Sequence, residues 1–246
     1  MAKLKLHKKY LIHGKIQAVS GLHIGGTDNG FSIGSTDATV IKHPISGEPY
    51  IPGSSLKGKM RSLTELRDGT IGTRRYGQIN NGPTEVHTDI AARIFGTANN
   101  ESTQRPSRVI VRDAALSTES KKYNEGDKDY SVVEIKTEVL IDRITSKAMP
   151  RSMERVPAGA TFDLEIILNV FEDDQQFERD HIEDVLKALL LVQDDYLGGK
   201  GSRGSGQVAF TIQKISERTP TFYEDPSKGD KDRTGDFSTT FSQLFA

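Results

Sequence analysis

Between Thr161 and Ile215 the apolar residues change period twice. TFDLEIILNVF (161–171) alternates apolar with polar, the period of a strand whose two faces meet different surroundings. FERDHIEDVLKALLLVQDDY (177–196) then places Ile182, Val185, Leu186, Leu189 and Val192 on one face of a helix. QVAFTIQKI (207–215) alternates again. A strand, an amphipathic helix and a strand in this order bury their apolar faces together only if the helix crosses over a sheet that both strands share.

The N-terminal half repeats the order. In KYLIHGKIQAVSGLHIG, Ile12, Gly14, Ile16 and Ala18 share one face and His13, Lys15 and Gln17 the other. Ser54 and Ser55 offer N-caps, and Leu56, Met60 and Leu63 follow at i, i+4, i+7 on a helix ending near Asp68-Gly69. SRVIVRDAAL and VVEIKTEVLIDRI read as strands. Two β-α-β halves predict an α+β, ferredoxin-like sheet with loop insertions; the helices are too few for a doubly wound sheet. Between the elements, residues 25–52 form a long loop with one short strand, TVIKHP, and residues 69–92 are irregular. Ser117 to Asp129 reads as a mobile loop, and Pro220 to Ala246 as a loosely ordered tail.

The 246 residues suffice for a sizeable core. None is cysteine, which excludes disulfides and thiolate zinc sites. No apolar run approaches the ~20 residues that span a bilayer, and MAKLKLHKKYLIHG lacks the apolar block of a signal peptide. The expectation is a cytoplasmic protein with no membrane partner. A net charge of −1 hides strong segregation. Residues 53–75 carry Lys57, Lys59, Arg61, Arg67, Arg74 and Arg75 against Glu65 and Asp68, whereas residues 172–195 carry nine acids and two bases. A basic surface fit for a polyanion is compatible with this pattern, as are several solvated faces.

Three stretches could carry chemistry. GSSLKGK puts Lys57 and Lys59 at a helix start, where unpaired N–H groups and the helix dipole already favour an anion. A bound phosphate would reconcile them; so would lysines splayed into water. GGKGSRGSG (198–206) contains G-x-G-x-x-G, but it follows a helix and precedes a strand, the reverse of a dinucleotide fingerprint. Its glycines permit close backbone approach and Lys200 and Arg203 supply charge; a flexible connection is the alternative. Of the histidines, His7, His13, His43, His87 and His181 read as structural or solvated, with no paired ligand spacing, and His181 falls on an acidic helix face. His23, in GLHIGG, ends a strand beside a glycine turn. Asp37 stands alone in a Gly/Ser/Thr loop, where an aspartate is ordinarily a turn-former.

Taken together, GLHIGG, the Asp37 loop, VIKHPISGEPYIPGSSLKGKMRS, RIFG, EIKTEVLIDRITSKAMPRSMERVPAG and GGKGSRGSGQV resemble the RAMP superfamily of CRISPR RNA-binding proteins. The likeness is greatest to the repeating backbone subunit of type III effector complexes, especially type III-A, and covers roughly residues 8–215. It implies a RAMP domain over 1–218, with a ferredoxin-like (RRM-related) palm, a protruding β-hairpin thumb around 141–156 and an insertion around 69–106, before a tail at 219–246. It implies copies stacked along a CRISPR guide RNA, one nucleotide in six flipped out, and a complementary target RNA cut beside each flipped position with Mg²⁺ or Mn²⁺. The partners implied are guide RNA, target RNA, further copies of the chain and other type III effector subunits.

On this resemblance Asp37 is the catalytic residue and a transient metal ligand. RNA binding falls to His23, Ser54, Ser55, Lys57, Lys59, Arg61, Arg143, Lys147, Met149, Arg151, Lys200 and Arg203, with Met153 as a further apolar chain for wedging into a base stack. Some relatives carry a His/Cys zinc cluster before the RIFG run; HTDIAARIFG keeps only His87, so no zinc is expected. Thr36 and Ala38 flank Asp37 where the family more often has Ile and a polar residue. A scaffold that binds RNA without cutting, a guide-processing ribonuclease and a nucleotide-binding enzyme are the competing functions.

Overall fold

The computed structural model describes residues 5–26, 38–71, 82–86, 88–97, 106–125, 132–172 and 178–245. In chain order the elements are β1 (Leu6–Ala18), β2 (Tyr50–Ile51), α1 (Gly53–Arg67), α2 (Ile90–Phe95), β3 (Val109–Val111), β4 (Ala114–Ala115), α3 (Thr118–Glu125), β5 (Glu134–Ile141), β6 (Ala148–Arg155), β7 (Thr161–Phe171), α4 (Glu178–Asp194), β8 (Val208–Arg218), α5 (Pro220–Glu224), β9 (Lys231–Asp232) and α6 (Gly235–Ser238). The main sheet runs β3-β7-β1-β8-β9, antiparallel at every pairing. Helix α1 carries the chain from β1 across to β3, and α4 carries it from β7 across to β8. Similar to solved structures named below, the architecture is a mixed α/β fold with antiparallel sheets.

The alternation of the long strands sets the layers. Ile12 and Ile16 of β1, Phe162, Leu164, Ile166 and Leu168 of β7, and Phe210 and Ile212 of β8 enter one core with Leu56, Met60 and Leu63 of α1 and the α4 stripe from Ile182 to Val192. The opposite face carries Lys15, which pairs with Asp163 of β7 (2.7 Å) and Glu119 of α3 (3.0 Å). That face is neutralised by its own ion pairs. Helices α1 and α4 pack side by side; Arg67–Asp184 (3.6 Å) joins them, and Lys59 pairs with Asp195 (2.9 Å) just beyond the end of α4. Part of the charge segregation in the sequence is thus the mutual attraction of two packed helices.

Several expectations need correction. Residue Pro52, not Ser54 or Ser55, occupies the N-cap of α1, and no side chain caps it there. Instead Asp113, from the turn between β3 and β4, accepts the Gly53 N–H at 2.7 Å. Of the segment expected as a mobile loop, Thr118–Glu125 is helical as α3 and 126–129 lie outside the described residues: Ser117 Oγ accepts the Ser120 N–H at 3.2 Å, and Glu119 provides an acid in the first turn. His181 is buried in α4 rather than displayed on its acidic face.

The tail is ordered from Thr219 to Phe245. It wraps back along β8: β9 pairs with Ser216 and Glu217, and Phe245 forms a bridge to Ile212. Phe237, Phe241 and Leu244 are buried in the core, and Arg233 pairs with Glu217 (3.7 Å) and Asp236 (2.8 Å). Burial of three large apolar side chains offsets the chain entropy that its Pro, Gly and charged residues would otherwise favour. Among the described residues no helix is long and apolar enough to cross a membrane.

Candidate nucleic-acid interface

Among the strands of the described residues, β5 and β6 form a two-stranded sheet of their own, Glu134 opposite Arg155 through Ile141 opposite Ala148. The hairpin therefore spans 134–155, with its turn at 142–147; the sequence range 141–156 captured the turn and the second strand alone. Its outer part is exposed, Ile144 at the tip by 96%. The tip is held by Asp142, whose carboxylate accepts the N–H groups of Ile144 (2.9 Å) and Thr145 (2.8 Å). Those donors hold its carboxyl below the usual carboxylate range. The bonds are therefore fully present above the unfolded aspartate value, about 3.9, and are lost as pH falls through the lower folded value. The Ile144 and Thr145 amide resonances are expected to move together below about pH 4, ahead of global unfolding.

Four pieces of backbone converge at the base of the hairpin. Leu22 and Val156 exchange two backbone hydrogen bonds (2.8 and 2.7 Å). Ile41 N–H donates to Ile24 (2.9 Å) and Gly26 N–H to Thr39 (3.1 Å), closing a stem around residues 27–37. Asp37 lies outside the described residues. Its successor, Ala38, bridges to Met153, and the Ala38 carbonyl accepts the Glu154 N–H at 2.8 Å. Glu154 clamps the stem further: its carboxylate accepts the Val40 N–H (3.2 Å) and pairs with Lys42 (3.1 Å). Sequence inspection missed Glu154; its only signal was membership of the ERVPAG run.

His23 closes the arrangement. Its Nδ1 lies 2.7 Å from the Glu154 carbonyl, which can only accept, so Nδ1 carries the proton. The His23 carbonyl accepts the Gly199 N–H at 2.8 Å. The approach requires glycine next door: Gly198 has φ +79, and a Cβ there would sit 2.3 Å from the His23 carbonyl oxygen. His23 is thus buried where stem, hairpin and glycine loop meet. Gly198→Ala is expected to lower stability by about 1–3 kcal/mol, from strain and overpacking, and to detach the loop. Denaturant unfolding, with exchange of the Gly199 amide, measures both.

The bases at the start of α1 have partners inside the chain. Lys57 is half-buried and donates to Ser107 Oγ at 2.8 Å; burial, with Arg61 nearby, lowers its pKa. Lys59 pairs with Asp195 and lies 3.7 Å from the Tyr196 ring centroid. Arg61 is tied by Glu65 (2.8 Å) and the carbonyls of Gly96 and Thr84 (both 2.9 Å). Ser54 is exposed and Ser55 half-buried.

The glycine loop begins at the end of α4. Lys200 adopts a left-handed conformation, and Gly201–Arg203 forms a 3₁₀ turn. Tyr196 packs so closely on Gly201 that an added Cβ would lie 2.0 Å from the ring. Arg203 then reaches the hairpin, pairing with Glu138 of β5 at 2.9 Å. Arg143, Lys147 and Arg151 are exposed on the hairpin and make no ion pair among the described residues. Met149 is partly exposed beside them (39%), whereas Met153, whose backbone bridges to Ala38, is buried at the hairpin base (4%) and so is not presented as a wedge. Among the described residues no three His, Asp or Glu side chains come together in a way that could hold a metal ion. His87 lies outside the described residues.

A hairpin outside the main antiparallel sheet, with a glycine loop and a clamped stem at its root, is thus the candidate site. Residues 15–209 match the model of the RAMP superfamily, and the chain belongs to that family. It is 37% identical over 254 residues to a protein of Methanothermobacter thermautotrophicus, the match covering 96% of this chain and 99% of the relative. It is 38% identical over 249 residues to a protein of Methanocaldococcus jannaschii, covering 99% and 96%. Each of these relatives is named CRISPR system Cms endoribonuclease Csm3. Among solved structures, it resembles a chain of the Csm3–Csm4 subcomplex of a type III-A CRISPR-Cas interference complex, at TM-score 0.62 and 26% identity, over 98% of this chain and 99% of that one. Csm3 of Methanopyrus kandleri shares the fold at TM-score 0.63 and 22% identity, over 95% and 85%.

Proposed function

We propose that this chain is a cytoplasmic, repeating filament subunit of a type III CRISPR effector complex and an endoribonuclease that cuts guide-paired target RNA at six-nucleotide intervals. Similarity over nearly the whole chain to proteins named as CRISPR endoribonucleases supports the activity. One structural observation carries the site: the residue after Asp37 is bonded to the root of the hairpin, beside His23 and the glycine loop. A carboxylate delivered there would meet RNA held between hairpin and loop. Guide pairing, not side-chain reading of bases, would supply sequence specificity.

In this proposal the sheet with its two crossover helices is a ferredoxin-like palm and the 134–155 hairpin its thumb. The strand order β3-β7-β1-β8 and the isolation of β5-β6 from the main sheet support both assignments. Guide phosphates meet Arg143, Lys147 and Arg151 on the hairpin and Lys200 and Arg203 on the loop. Lys57 and Lys59 reach phosphate only by exchanging Ser107 and Asp195 for it. Ser54, Ser55 and His23 would contribute hydrogen bonds from α1 and the stem, Met149 an apolar contact. Further copies of the chain, other type III subunits, guide RNA and target RNA are the partners.

The neighbouring 2′-oxygen attacks the phosphorus, the P–O5′ bond breaks, and the products are a 2′,3′-cyclic phosphate and a 5′-hydroxyl whose oxygen takes up a proton from solvent. Asp37 can take the hydroxyl proton, bind metal or orient the ribose. Mg²⁺ or Mn²⁺ bound with RNA phosphates would stabilise charge on the phosphate; the described residues provide no three-ligand set for a resident ion.

Incubation of the assembled complex with end-labelled complementary RNA tests the proposal. Products spaced by six nucleotides, abolished by a chelator, are expected; intact target would leave an RNA-binding scaffold. Replacing Arg143, Lys147 and Arg151 together by Ala should flatten the slope of log affinity against log salt by about 2, at roughly 0.7 for each lost contact with a single strand. An unchanged slope removes the hairpin from the RNA path.

A further inference from the structure

We infer that Lys136, Arg151 and Arg203 form one phosphate site bridging hairpin and glycine loop, and that Glu138 occupies it in the RNA-free subunit. The inference rests on the RNA-binding function proposed above.

The register places these groups together. Lys136 and Glu138 lie two apart on β5 and so share a face, and Arg151 is directly opposite Glu138 on β6. Facing side chains in such a pair start from Cβ atoms about 5 Å apart. Glu138 accepts from Arg203 Nη1 at 2.9 Å and pairs with Lys136 at 3.3 Å. One carboxylate thus holds two bases drawn from segments far apart in sequence, and Arg151, which makes no ion pair of its own among the described residues, starts from the register position facing it. The hydrogen bond from Arg203, then those of Lys136, hold its carboxyl below the usual range, so it is anionic at neutral pH.

Carboxylate and phosphate make the same demands on a guanidinium: negative charge and paired acceptor oxygens. A cluster that holds Glu138 is therefore already shaped for a backbone phosphate. The pair is also exchangeable, since the Arg203 side chain is 59% exposed and that of Glu138 23%. Surface pairs of this kind are weak, weaker than contacts to a polyanion that releases counterions on binding. Entry of a phosphate expels the carboxylate, which rotates to solvent. The hairpin is then tied to the loop through RNA instead of through Glu138.

Two consequences separate this site from a generally basic surface. Glu138 acts as a competitor, so its neutralisation tightens RNA binding. An acid of equal charge elsewhere does not have this effect to the same degree. Glu224, exposed on α5, provides the comparison.

The test is fluorescence anisotropy of the purified chain with a fluorescein-labelled single-stranded RNA of mixed sequence, over a range of salt. Glu138→Gln is expected to bind about two- to fivefold tighter than the parent, the range of exposed pairs. Its salt slope should steepen by about 0.7, one further phosphate contact. Glu224→Gln should match the parent, and Arg203→Ala should bind more weakly. Parent-like or weaker binding by Glu138→Gln, or an equal gain from Glu224→Gln, overturns the site while leaving the RNA-binding function standing. Failure of the parent to bind RNA at any salt concentration overturns that function, and the site with it.

Discussion

Asp37→Asn is expected to leave guide binding and target capture intact while lowering target cleavage about 10²- to 10⁴-fold, the contribution of a positioned acid–base group. The substitution keeps size and removes charge. Removing a carboxylate near phosphates should leave affinity equal or slightly higher. The backbone after Asp37 is fixed by bonds that do not involve its side chain: Ala38 to Glu154, Thr39 to Gly26, Val40 to Glu154. Stability should therefore stay within about 0.5 kcal/mol of the parent. The assay is cleavage of end-labelled target by the assembled complex in magnesium or manganese, with target retention measured in parallel. Bound, intact target is the expected product of the variant. Cleavage at the parental rate would move catalysis elsewhere and leave Asp37 a turn residue.

Arg61→Ala should do the reverse, damaging the fold first. Its guanidinium joins Glu65 on α1 to the carbonyls of Thr84 and Gly96, and so fastens the segment around α2 to α1. Glu65 is buried and also accepts the Thr84 N–H at 3.1 Å. Truncation leaves that carboxylate without its cation, a change that costs about 3–5 kcal/mol where burial is complete. Arg61 retains some exposure, so about 3 kcal/mol is expected, read as a lowered urea midpoint at unchanged m. Arg61→Lys should recover only part, because an ammonium cannot span three acceptors in the guanidinium plane. Full stability in Arg61→Ala together with lost RNA affinity would return Arg61 to the RNA interface.

What the sequence made legible depended on range. The α4 stripe and the alternation of β1, β7 and β8 are local patterns, and each appears in the structure where the period placed it. The basic start of α1 is local too, but its meaning is not. Asp195, Ser107 and Asp113 come from 50 to more than 130 residues away, and nothing in GSSLKGK announces them. The hairpin was half-visible: Glu134–Ile141 reads as a strand, but only pairing shows that it turns back on Ala148–Arg155 instead of joining the sheet. For the tail, composition misled where spacing would have helped. Phe237, Phe241 and Leu244 stand at i, i+4 and i+7, the interval that identified α1. The catalytic assignment of Asp37 came from resemblance alone, since a single acid in a polar loop carries no spacing to interpret.

The tail's course along β8 also bears on how such a protein behaves at high local concentration. An open sheet edge offers unpaired N–H and C=O groups to any neighbour, and identical neighbours are the most dangerous kind. Along β8, Ile212, Ser216 and Glu217 are paired instead with Phe245, Asp232 and Lys231 of the same chain. At the opposite edge β3 is only three residues long. A subunit that works, as proposed above, lined up in many copies must join them by intended contacts and by no others. Here the last residues act as a selvedge, finishing the fabric of the sheet so that it does not knit to the next piece.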